Sequence, residues 1–225
     1  MIIVSGASRG LGRSIVERLI ERKHEVVGLV RSSSTSDFRC IHCDVTDYSS
    51  IKNAAKLVKS IGQPIEAVVN TAGVASMNMA VTTDHKTVQK LIQTNLVGTI
   101  YCCQVFAPLM LRQKRGAFIN FSTVAVALAL KGESVYAASK AGVEAFSRSF
   151  AREMADFNVR VNCIAPGPIN TDLLRGITNE QIEKITAQQI IPKQFLKSDV
   201  CDLVELLIDP RASSLSGQVL NVGGI

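Results

Sequence analysis

Short apolar runs typical of β-strands alternate with segments of helical periodicity along the whole sequence. Several of these runs, such as IEAVVN and GAFINF, are apolar at nearly every position, as expected for strands covered on both faces. This alternation predicts βαβ units around a parallel sheet. Right-handed crossovers make such a sheet doubly wound, with ligands bound at the carboxyl ends of its strands.

The pattern predicts an α/β fold of about seven strands in a single domain spanning residues 1–225. Strands are expected at 1–5, 25–30, 38–43, 65–70, 116–122, 159–164 and 217–221. Helices are expected at 10–22, 47–60, 84–112, 136–156 and 198–208.

Two segments depart from this regular alternation. The linker RSSSTSD after the second strand is too short for a full crossover helix, so we expect that helix to be missing or a single turn. Residues 167–198 contain Pro168, Gly176 and Pro192 around a helical patch, NEQIEKITAQQ. We interpret this segment as a mobile lid inserted before the last helix.

Composition and charge argue against several classes of protein. No apolar run reaches the roughly 18 to 20 residues of a membrane span. The first strand-like run begins at Met1, which leaves no room for a signal peptide, so we expect a cytoplasmic protein without a membrane partner. The 25 basic and 19 acidic residues give a net charge of +6 that is spread along the chain, so nucleic acid is not an expected partner.

The six cysteines do not suggest a metal site. Cys40 and Cys43 resemble half of one, but no second pair at ligand spacing follows, and the segment alternates like a strand. We therefore expect reduced thiols and no bound metal.

A glycine-rich loop, SGASRGLG, follows the first strand and opens the first helix. Glycine permits the sharp turn and the close approach of backbone to a pyrophosphate, and the helix N-terminus offers free N–H groups. The alternative interpretation is an ordinary tight turn between a strand and a helix. The dinucleotide contacts expected from this loop are those of Gly6, Ser8, Arg9, Gly10, Leu11 and Gly12.

Arg31, at the end of the second strand, indicates which dinucleotide is bound. Proteins that prefer NAD place an acidic residue near this point to hold the ribose 2′-hydroxyl, whereas EVVGLVRSS carries none. Because a guanidinium suits a 2′-phosphate, Arg31 and Arg9 favour NADP(H). The alternative is that Arg31 is a solvated charge at the end of a strand.

The sequence resembles the short-chain dehydrogenase/reductase family, which has a Rossmann fold. The matching segments span nearly the whole chain and occur in order. They are SGASRGLG at 5–12, DVTD at 44–47, NTAG at 70–73, NLVG at 95–98, FST at 121–123, YAASK at 136–140, NCIAPGPINTD at 162–172 and SGQVLNVGG at 216–224.

Tyr136 and Lys140 are the expected catalytic pair. Their i, i+4 spacing places both on one side of a helix. A free tyrosine has a pKa near 10, and a neighbouring ammonium is expected to lower it towards neutral pH. The resemblance implies that Tyr136 exchanges a proton with the substrate oxygen and that Lys140 also holds the nicotinamide ribose.

The resemblance implies roles for further residues. Asn95 matches an asparagine that distorts its helix and helps to hold a water near the lysine, in a proton relay. Asp44 is expected to hydrogen bond the adenine, and Asn70 to steady the loop beside it. The remaining expected contacts to the cofactor are those of Val45, Ala72, Gly73, Pro166, Gly167, Ile169 and Thr171.

The hydroxyl that polarises the substrate oxygen has two candidates. Family members carry a serine 13 positions before the tyrosine, and in this sequence that position is Thr123, with Ser122 just before it. Adjacent residues at a strand end point to opposite faces, so the two cannot be exchanged without moving backbone. Spacing favours Thr123, and Ser122 is the alternative.

The resemblance is greatest to 3-oxoacyl-acyl-carrier-protein reductases, and it implies a homo-oligomer, a tetramer or a dimer. A reductase of another ketone or sugar, and a cofactor-binding regulator without turnover, are the alternatives. The basic cluster Arg112, Lys114 and Arg115 could form part of a docking rim for an acidic carrier protein.

Overall fold

The computed structural model describes residues 1–32, 37–174 and 177–225, and in them an all-parallel sheet of seven strands. The strands are β1 (Ile2–Ser5), β2 (Val26–Val30), β3 (Cys40–His42), β4 (Ala67–Asn70), β5 (Gly116–Phe121), β6 (Val159–Ala165) and β7 (Val219–Asn221). Their order is β3-β2-β1-β4-β5-β6-β7. The predicted doubly wound α/β fold is confirmed. The order reverses between β1 and β4, which is where such folds bind ligands.

Helices cover both faces of the sheet. They are α1 (Gly10–Glu21), α2 (Tyr48–Ser60), α3 (His85–Leu91), α4 (Gly98–Leu111), α5 (Ala125–Leu128), α6 (Ser134–Met154), α7 (Asn179–Thr186) and α8 (Lys197–Ile208). One core lies between the sheet and α2, α4 and α6, and includes Phe106 and Phe118. The other lies beneath α1 and α8, and includes Ile15 and Val204.

The segments that were expected to be irregular are largely as predicted. Between β2 and β3 the described residues contain no helix, and residues 33–36 of that linker lie outside them. The segment 167–198 contains α7, while Gly176 also lies outside the described residues. The motion of this segment as a lid stays a prediction. The single turn α5 was not predicted.

The predicted helix over 84–112 consists of three consecutive pieces. Between α3 and α4, residues Ile92–Val97 form a π-helical segment. Such segments insert an extra residue into a helical turn and are frequent at functional sites.

By length and composition, the 27 residues His85–Leu111 could cross a membrane, so the expectation that no segment reaches this length is wrong. The expectation considered only uninterrupted apolar runs, whereas a helix with a few uncharged polar residues among its apolar ones is still apolar enough on average to span a membrane. Helix α4 packs against α2, α6, β4 and β5. Its Cys103, Phe106 and Met110 are fully buried in that packing, so we describe it as a core helix.

The basic cluster Arg112, Lys114 and Arg115 lies at the end of α4, just before β5 begins. It therefore sits at the amino ends of the strands, whereas ligands of this fold bind at the carboxyl ends. Within one chain, the suggestion that this cluster rims the substrate entrance is wrong.

All six cysteines fall within the described residues and none is paired with another. Cys40 is half-buried and the other five are buried. In this part of the chain, no group of three or more His, Cys, Asp or Glu side chains is placed to hold a metal ion.

Candidate active site

A cleft of about 410 Å³ opens at the carboxyl ends of the strands. The loops that follow β1, β2, β4, β5 and β6 form its walls. Of the predicted site residues, Asn70 and Asn95 are set back from it. The others line it: Gly6, Ser8, Arg9, Gly10, Leu11, Gly12, Arg31, Asp44, Val45, Ala72, Gly73, Thr123, Tyr136, Lys140, Pro166, Gly167, Ile169 and Thr171.

The glycine loop packs directly on the loop after β4. Gly6 has a φ of 70°, and a Cβ there would lie 2.8 Å from the backbone of Ala72. A Cβ on Gly12 would overlap the carbonyl oxygen of Gly6 and the hydroxyl of Thr71. Only glycine allows this approach, which leaves the N-terminus of α1 open to the cleft. Arg9, the N-cap residue of α1, donates or accepts no side-chain cap hydrogen bond, so this helix end can bind an anion.

Arg31 and Asp44 lie near each other at one end of the cleft. Burial acts to raise the pKa of Asp44, but two hydrogen bonds from Thr46 and the positive charge of Arg31 outweigh it and hold that pKa below its usual value. Arg9 also lines the cleft, and its guanidinium is 3.7 Å from the carboxylate of Asp172. Two guanidinium groups therefore border the cleft, where Asp44 is hydrogen bonded by Thr46 and Asp172 lies beside Arg9.

Asn70 does not face the cleft. Its side-chain amide is buried and donates to Oδ1 of Asn120 on β5 at 2.9 Å. Because its position is the last residue of β4, its side chain points into the layer beneath α4. Asn70 thus ties two neighbouring strands together and does not line the cleft, and its role in steadying the loop after β4 stays a prediction.

Tyr136 and Lys140 lie on the same side of α6, facing the cleft. Lys140 is 6% exposed, and its ammonium donates to the carbonyl oxygen of Phe121 at 2.9 Å. Burial lowers the pKa of Lys140 from 10.5 to about 8. Both residues belong to the first turns of α6, and the hydrogen bond from Lys140 to Phe121 joins them to the end of β5.

The expectation that Lys140 lowers the pKa of Tyr136 is wrong for this structure. Burial raises the pKa of Tyr136, and the negative charge of Glu133 adds to that shift, while a hydrogen bond with Thr123 opposes it. The ammonium of Lys140 is directed at Phe121 instead. Tyr136 is therefore a protonated donor at neutral pH, the form that can give a proton to a carbonyl oxygen.

The two candidate hydroxyls point in different directions. The hydroxyl of Thr123 accepts from the backbone N–H of Ala125 at 3.2 Å and lies close enough to Tyr136 to act on the pKa of its phenol. Ser122 also lines the cleft, but its hydroxyl donates at 2.6 Å to Oε1 of Glu144, which does not line it. This geometry favours Thr123 as the residue that meets a substrate oxygen.

Asn95 lies within the π-helical segment and is fully buried. Its Oδ1 accepts from the N–H of Val74 at 2.8 Å, and its Nδ2 donates to the Val74 carbonyl at 2.9 Å. The same Nδ2 donates at 3.0 Å to the hydroxyl of Ser139, which in turn donates to the carbonyl of Tyr136 at 2.7 Å. Asn95 thus joins the loop after β4 to the first turn of α6.

Sequence reasoning missed three residues that shape the site. The sequence gives no sign of the role of Ser139, because a serine within YAASK is typical of an ordinary helix. Gln189 packs against Gly167, where an added Cβ would overlap its Oε1, and nothing in the sequence links these two positions. Glu133 lines the cleft beside Tyr136, and its spacing of three residues from Tyr136 was the available signal.

Comparison with known proteins identifies the family. A family model described as Enoyl-(Acyl carrier protein) reductase matches residues 6–224. The chain belongs to the short-chain dehydrogenase/reductase family. The predicted resemblance is confirmed, and the Tyr136–Lys140 spacing, the glycine loop and the π-helical segment are its features in this structure.

Two curated relatives match nearly the full length of the chain. The chain is 32% identical to the 3-oxoacyl-[acyl-carrier-protein] reductase FabG of Staphylococcus aureus, an alignment that covers 99% of this chain and 96% of that protein. It is 30% identical to the FabG of Salmonella typhimurium, with 99% and 95% covered.

A solved structure with a similar fold is the ligand-free aldohexose dehydrogenase of Thermoplasma acidophilum. Its TM-score is 0.89 at 28% identity, and the match covers 99% of this chain and 92% of that chain. The chain is thus an oxidoreductase of the family, which acts on carbonyl or alcohol groups. The relatives named here are a 3-oxoacyl-[acyl-carrier-protein] reductase and an aldohexose dehydrogenase, so their names do not agree on one substrate. The substrate therefore has to be argued from the site.

Proposed function

We propose that the protein is an NADPH-dependent reductase that converts a ketone into a secondary alcohol, with a 3-oxoacyl thioester as the substrate class. The observation that carries the proposal is that Thr123, Tyr136 and the buried Lys140 line one cleft, with Thr123 acting on the Tyr136 phenol and Lys140 held by the Phe121 carbonyl. The relatives named above that reduce 3-oxoacyl groups support the substrate class.

The residues present fit a phosphorylated dinucleotide. The N-terminus of α1 and the glycine cradle at Gly6 and Gly12 suit a pyrophosphate. Asp44 suits the adenine, and the guanidinium groups of Arg31 and Arg9 suit a 2′-phosphate. Pro166, Gly167, Ile169 and Thr171 form the wall where the nicotinamide would lie, and Lys140 would hold its ribose. When bound, this cofactor supplies the hydride that reduces the carbonyl carbon.

The chain's own residues supply the proton and the orientation. The Thr123 hydroxyl donates a hydrogen bond to the substrate carbonyl oxygen and so makes its carbon more electrophilic. Tyr136 gives its phenolic proton to the same oxygen as that oxygen gains negative charge. Lys140 is held by its hydrogen bond to the Phe121 carbonyl, and Asn95 fixes the first turn of α6 through Ser139. In the oxidative direction each proton moves the opposite way.

The test follows NADPH absorbance with 3-oxoacyl thioesters, sugar ketones and simple ketones. We expect the highest kcat/KM with a 3-oxoacyl thioester, and a loss of at least about 1000-fold in Tyr136→Phe, since that variant keeps the ring but has no proton to give. Turnover of a sugar or another ketone in preference to thioesters would replace the substrate class. Tight NADPH binding without any turnover would favour the non-catalytic regulator.

The proposed assembly and cellular compartment of the protein are those expected for a member of this family. We place the protein in the cytoplasm as a homo-oligomer, either a tetramer or a dimer, without a nucleic-acid or membrane partner. The half-buried face of α4 and α6 with Tyr101, Val105 and Phe146 is the surface that would pair. Sedimentation at several concentrations would test the assembly.

A further inference from the structure

Glu133 is a buried carboxylate without a partner in the wall of the cleft. The residue is 8% exposed. Within the described residues its carboxylate makes no hydrogen bond or ion pair, and its one interaction is the electrostatic effect on Tyr136. The backbone of Glu133 is engaged separately, since its carbonyl accepts from the N–H of Ala137 at 2.7 Å.

Glu133 lies where the main cleft continues into a side pocket, and the two share Ala75, Glu133, Tyr136, Leu173 and Ile177. Glu133 and Tyr136 line the main cleft, and both also line a side pocket of about 280 Å³. The rest of that pocket is formed by the loop after β4 and by the segment after β6. Those residues are Ala75, Ser76, Met77, Asn78, Leu173 and Ile177. A substrate whose reacting oxygen meets Tyr136 and whose remainder enters the side pocket can therefore contact Glu133.

The fold gives no structural reason for a carboxylate at this position. Glu133 is the N-cap residue of α6, but its side chain forms no hydrogen bond to the helix. An acidic group near a helix N-terminus is stabilised by the dipole when it is solvated, yet this one is buried, and burial raises the pKa of Glu133. Burial of a charge that lacks a hydrogen-bond donor costs free energy. Groups with this property concentrate in sites that bind a ligand.

We propose that Glu133 is a specificity-determining residue that accepts a hydrogen bond from the substrate. It selects neutral carbonyl compounds that carry a donor beyond the reacting carbon, and it excludes compounds that carry a carboxylate there. This proposal rests on the reductase function proposed above. The donor can be a hydroxyl of a hydroxyketone or sugar, or an amide N–H in the arm of a thioester.

Two substitutions separate the hydrogen bond from the charge. Glu133→Gln keeps the size and an acceptor oxygen but removes the charge, and Glu133→Leu removes both. Glu153→Gln, at an exposed position on the same helix, is the control for loss of one negative charge.

Matched substrates report each property. Hydroxyl recognition is measured with 1-hydroxy-2-hexanone against 2-hexanone, and amide recognition with the N-acetylcysteamine thioester of 3-oxobutanoate against ethyl 3-oxobutanoate. Free 3-oxobutanoate reports the exclusion of anions. We expect the parent protein to prefer the donor-bearing member of one pair by at least about tenfold in kcat/KM, since each good hydrogen bond to a charged group contributes about 1.5 kcal/mol or more.

The variants should divide the two effects. Glu133→Leu should bring that preference within about twofold of unity, whereas Glu133→Gln should retain part of it. Both Glu133 variants should raise kcat/KM for free 3-oxobutanoate by at least about tenfold. Glu153→Gln should change neither the preference for the donor-bearing substrate nor kcat/KM for free 3-oxobutanoate. The pair that shows the preference identifies the source of the donor.

Equal kcat/KM within both pairs for the parent protein, or a preference retained in Glu133→Leu, overturns the role of Glu133 while leaving the reductase intact. Absence of turnover with all five compounds overturns both proposals. Thermal unfolding gives a second measurement, in which both variants should unfold at a temperature no lower than the parent. A clear drop in either would show that Glu133 serves the fold instead.

Discussion

Thr123 and Tyr136 line the same cleft, and the hydroxyl of Thr123 acts to lower the pKa of the Tyr136 phenol. The preceding residue, Ser122, turns the other way and donates to Glu144 at 2.6 Å. Successive side chains at the end of β5 leave on opposite sides, so the backbone decides which hydroxyl reaches the substrate. A threonine therefore takes the position that other members of the family fill with serine.

Thr123→Val should lower kcat/KM by about 100-fold, because valine keeps the shape of threonine and removes the hydrogen bond to the developing oxyanion. Ser122→Ala should lower it by no more than about threefold, since its hydroxyl serves Glu144. Steady-state kinetics on the best ketone substrate measures both, with thermal unfolding as the check on folding. A larger loss in Ser122→Ala would reverse the assignment.

The alternation of strands and helices predicted the topology because periodicity reports burial, and burial follows from the layers of the fold. The same signal could not show the π-helical segment at Asn95, since one extra residue in a turn leaves the apolar pattern of a core helix unchanged. It also could not show that Asn70 points at Asn120. Both features depend on the direction of single side chains, which tertiary contacts set.

The shifted pKa of Tyr136 marks a further limit of sequence reasoning. The i, i+4 spacing placed Lys140 beside it, but the ammonium is held by the carbonyl of Phe121. The opposing charge came from Glu133, which no motif singled out. Spacing along a helix gives proximity, whereas the sign of an electrostatic effect depends on which partner each charged group finds.

Lys140 should make the stability of the protein depend on pH in a defined direction. Burial lowers its pKa from 10.5 to about 8 in the folded protein. Below pH 8 both states carry the ammonium and the folded state bears the whole cost of burying it. Between pH 8 and 10.5 the unfolded state binds more protons, so this group's contribution to the free energy of unfolding rises with pH.

Lys140→Met removes this dependence. The shift corresponds to ~3 kcal/mol at about 1.4 kcal/mol per pKa unit. The parent gains this free energy as pH rises and the variant does not. We therefore expect the free energy of unfolding of the variant minus that of the parent to fall by about 2 to 3 kcal/mol between pH 7 and 10. Urea unfolding at equal protein concentration measures the difference, and a constant difference would contradict the buried ammonium.

Two glycines of the dinucleotide loop should respond differently to alanine. Gly10→Ala meets no atom nearer than Cβ of Thr171 at 3.9 Å, so its cost is the strain of a positive φ, about 1 kcal/mol. Gly12→Ala would overlap Gly6 and Thr71, and should cost about 2 to 3 kcal/mol and weaken dinucleotide binding by more than about tenfold. Urea unfolding and nucleotide titration compare the two variants. Equal costs would mean that the loop after β4 yields to the added methyl group.

Arg31 should decide between the two dinucleotides. Arg31 lines the cleft near Asp44, and its positive charge helps to lower the pKa of that residue. At this strand end the chain has an arginine where proteins that prefer NAD have an acidic residue. Arg31→Gln removes the charge alone, and Arg31→Asp also places a negative charge where a 2′-phosphate would lie. We expect the Kd for NADPH to rise at least about tenfold in the first and at least about 100-fold in the second, since a charge-assisted hydrogen bond contributes about 1.5 to 3 kcal/mol. The Kd for NADH should change by less than about threefold in both.

Arg39→Asp is the matched control for this prediction, because Arg39 is an exposed arginine that lies outside the cleft and pairs with Glu25 at 3.5 Å. It makes the same change in net charge, so it should leave both Kd values within about twofold of the parent. Titration of the fluorescence of the reduced nucleotides measures all eight values, for the parent and the three variants. An equal loss of NADPH and NADH binding in Arg31→Asp would show that the residue supports the adenosine end in general. In that case the preference for a phosphorylated dinucleotide would have to come from Arg9, whose guanidinium is shared with Asp172.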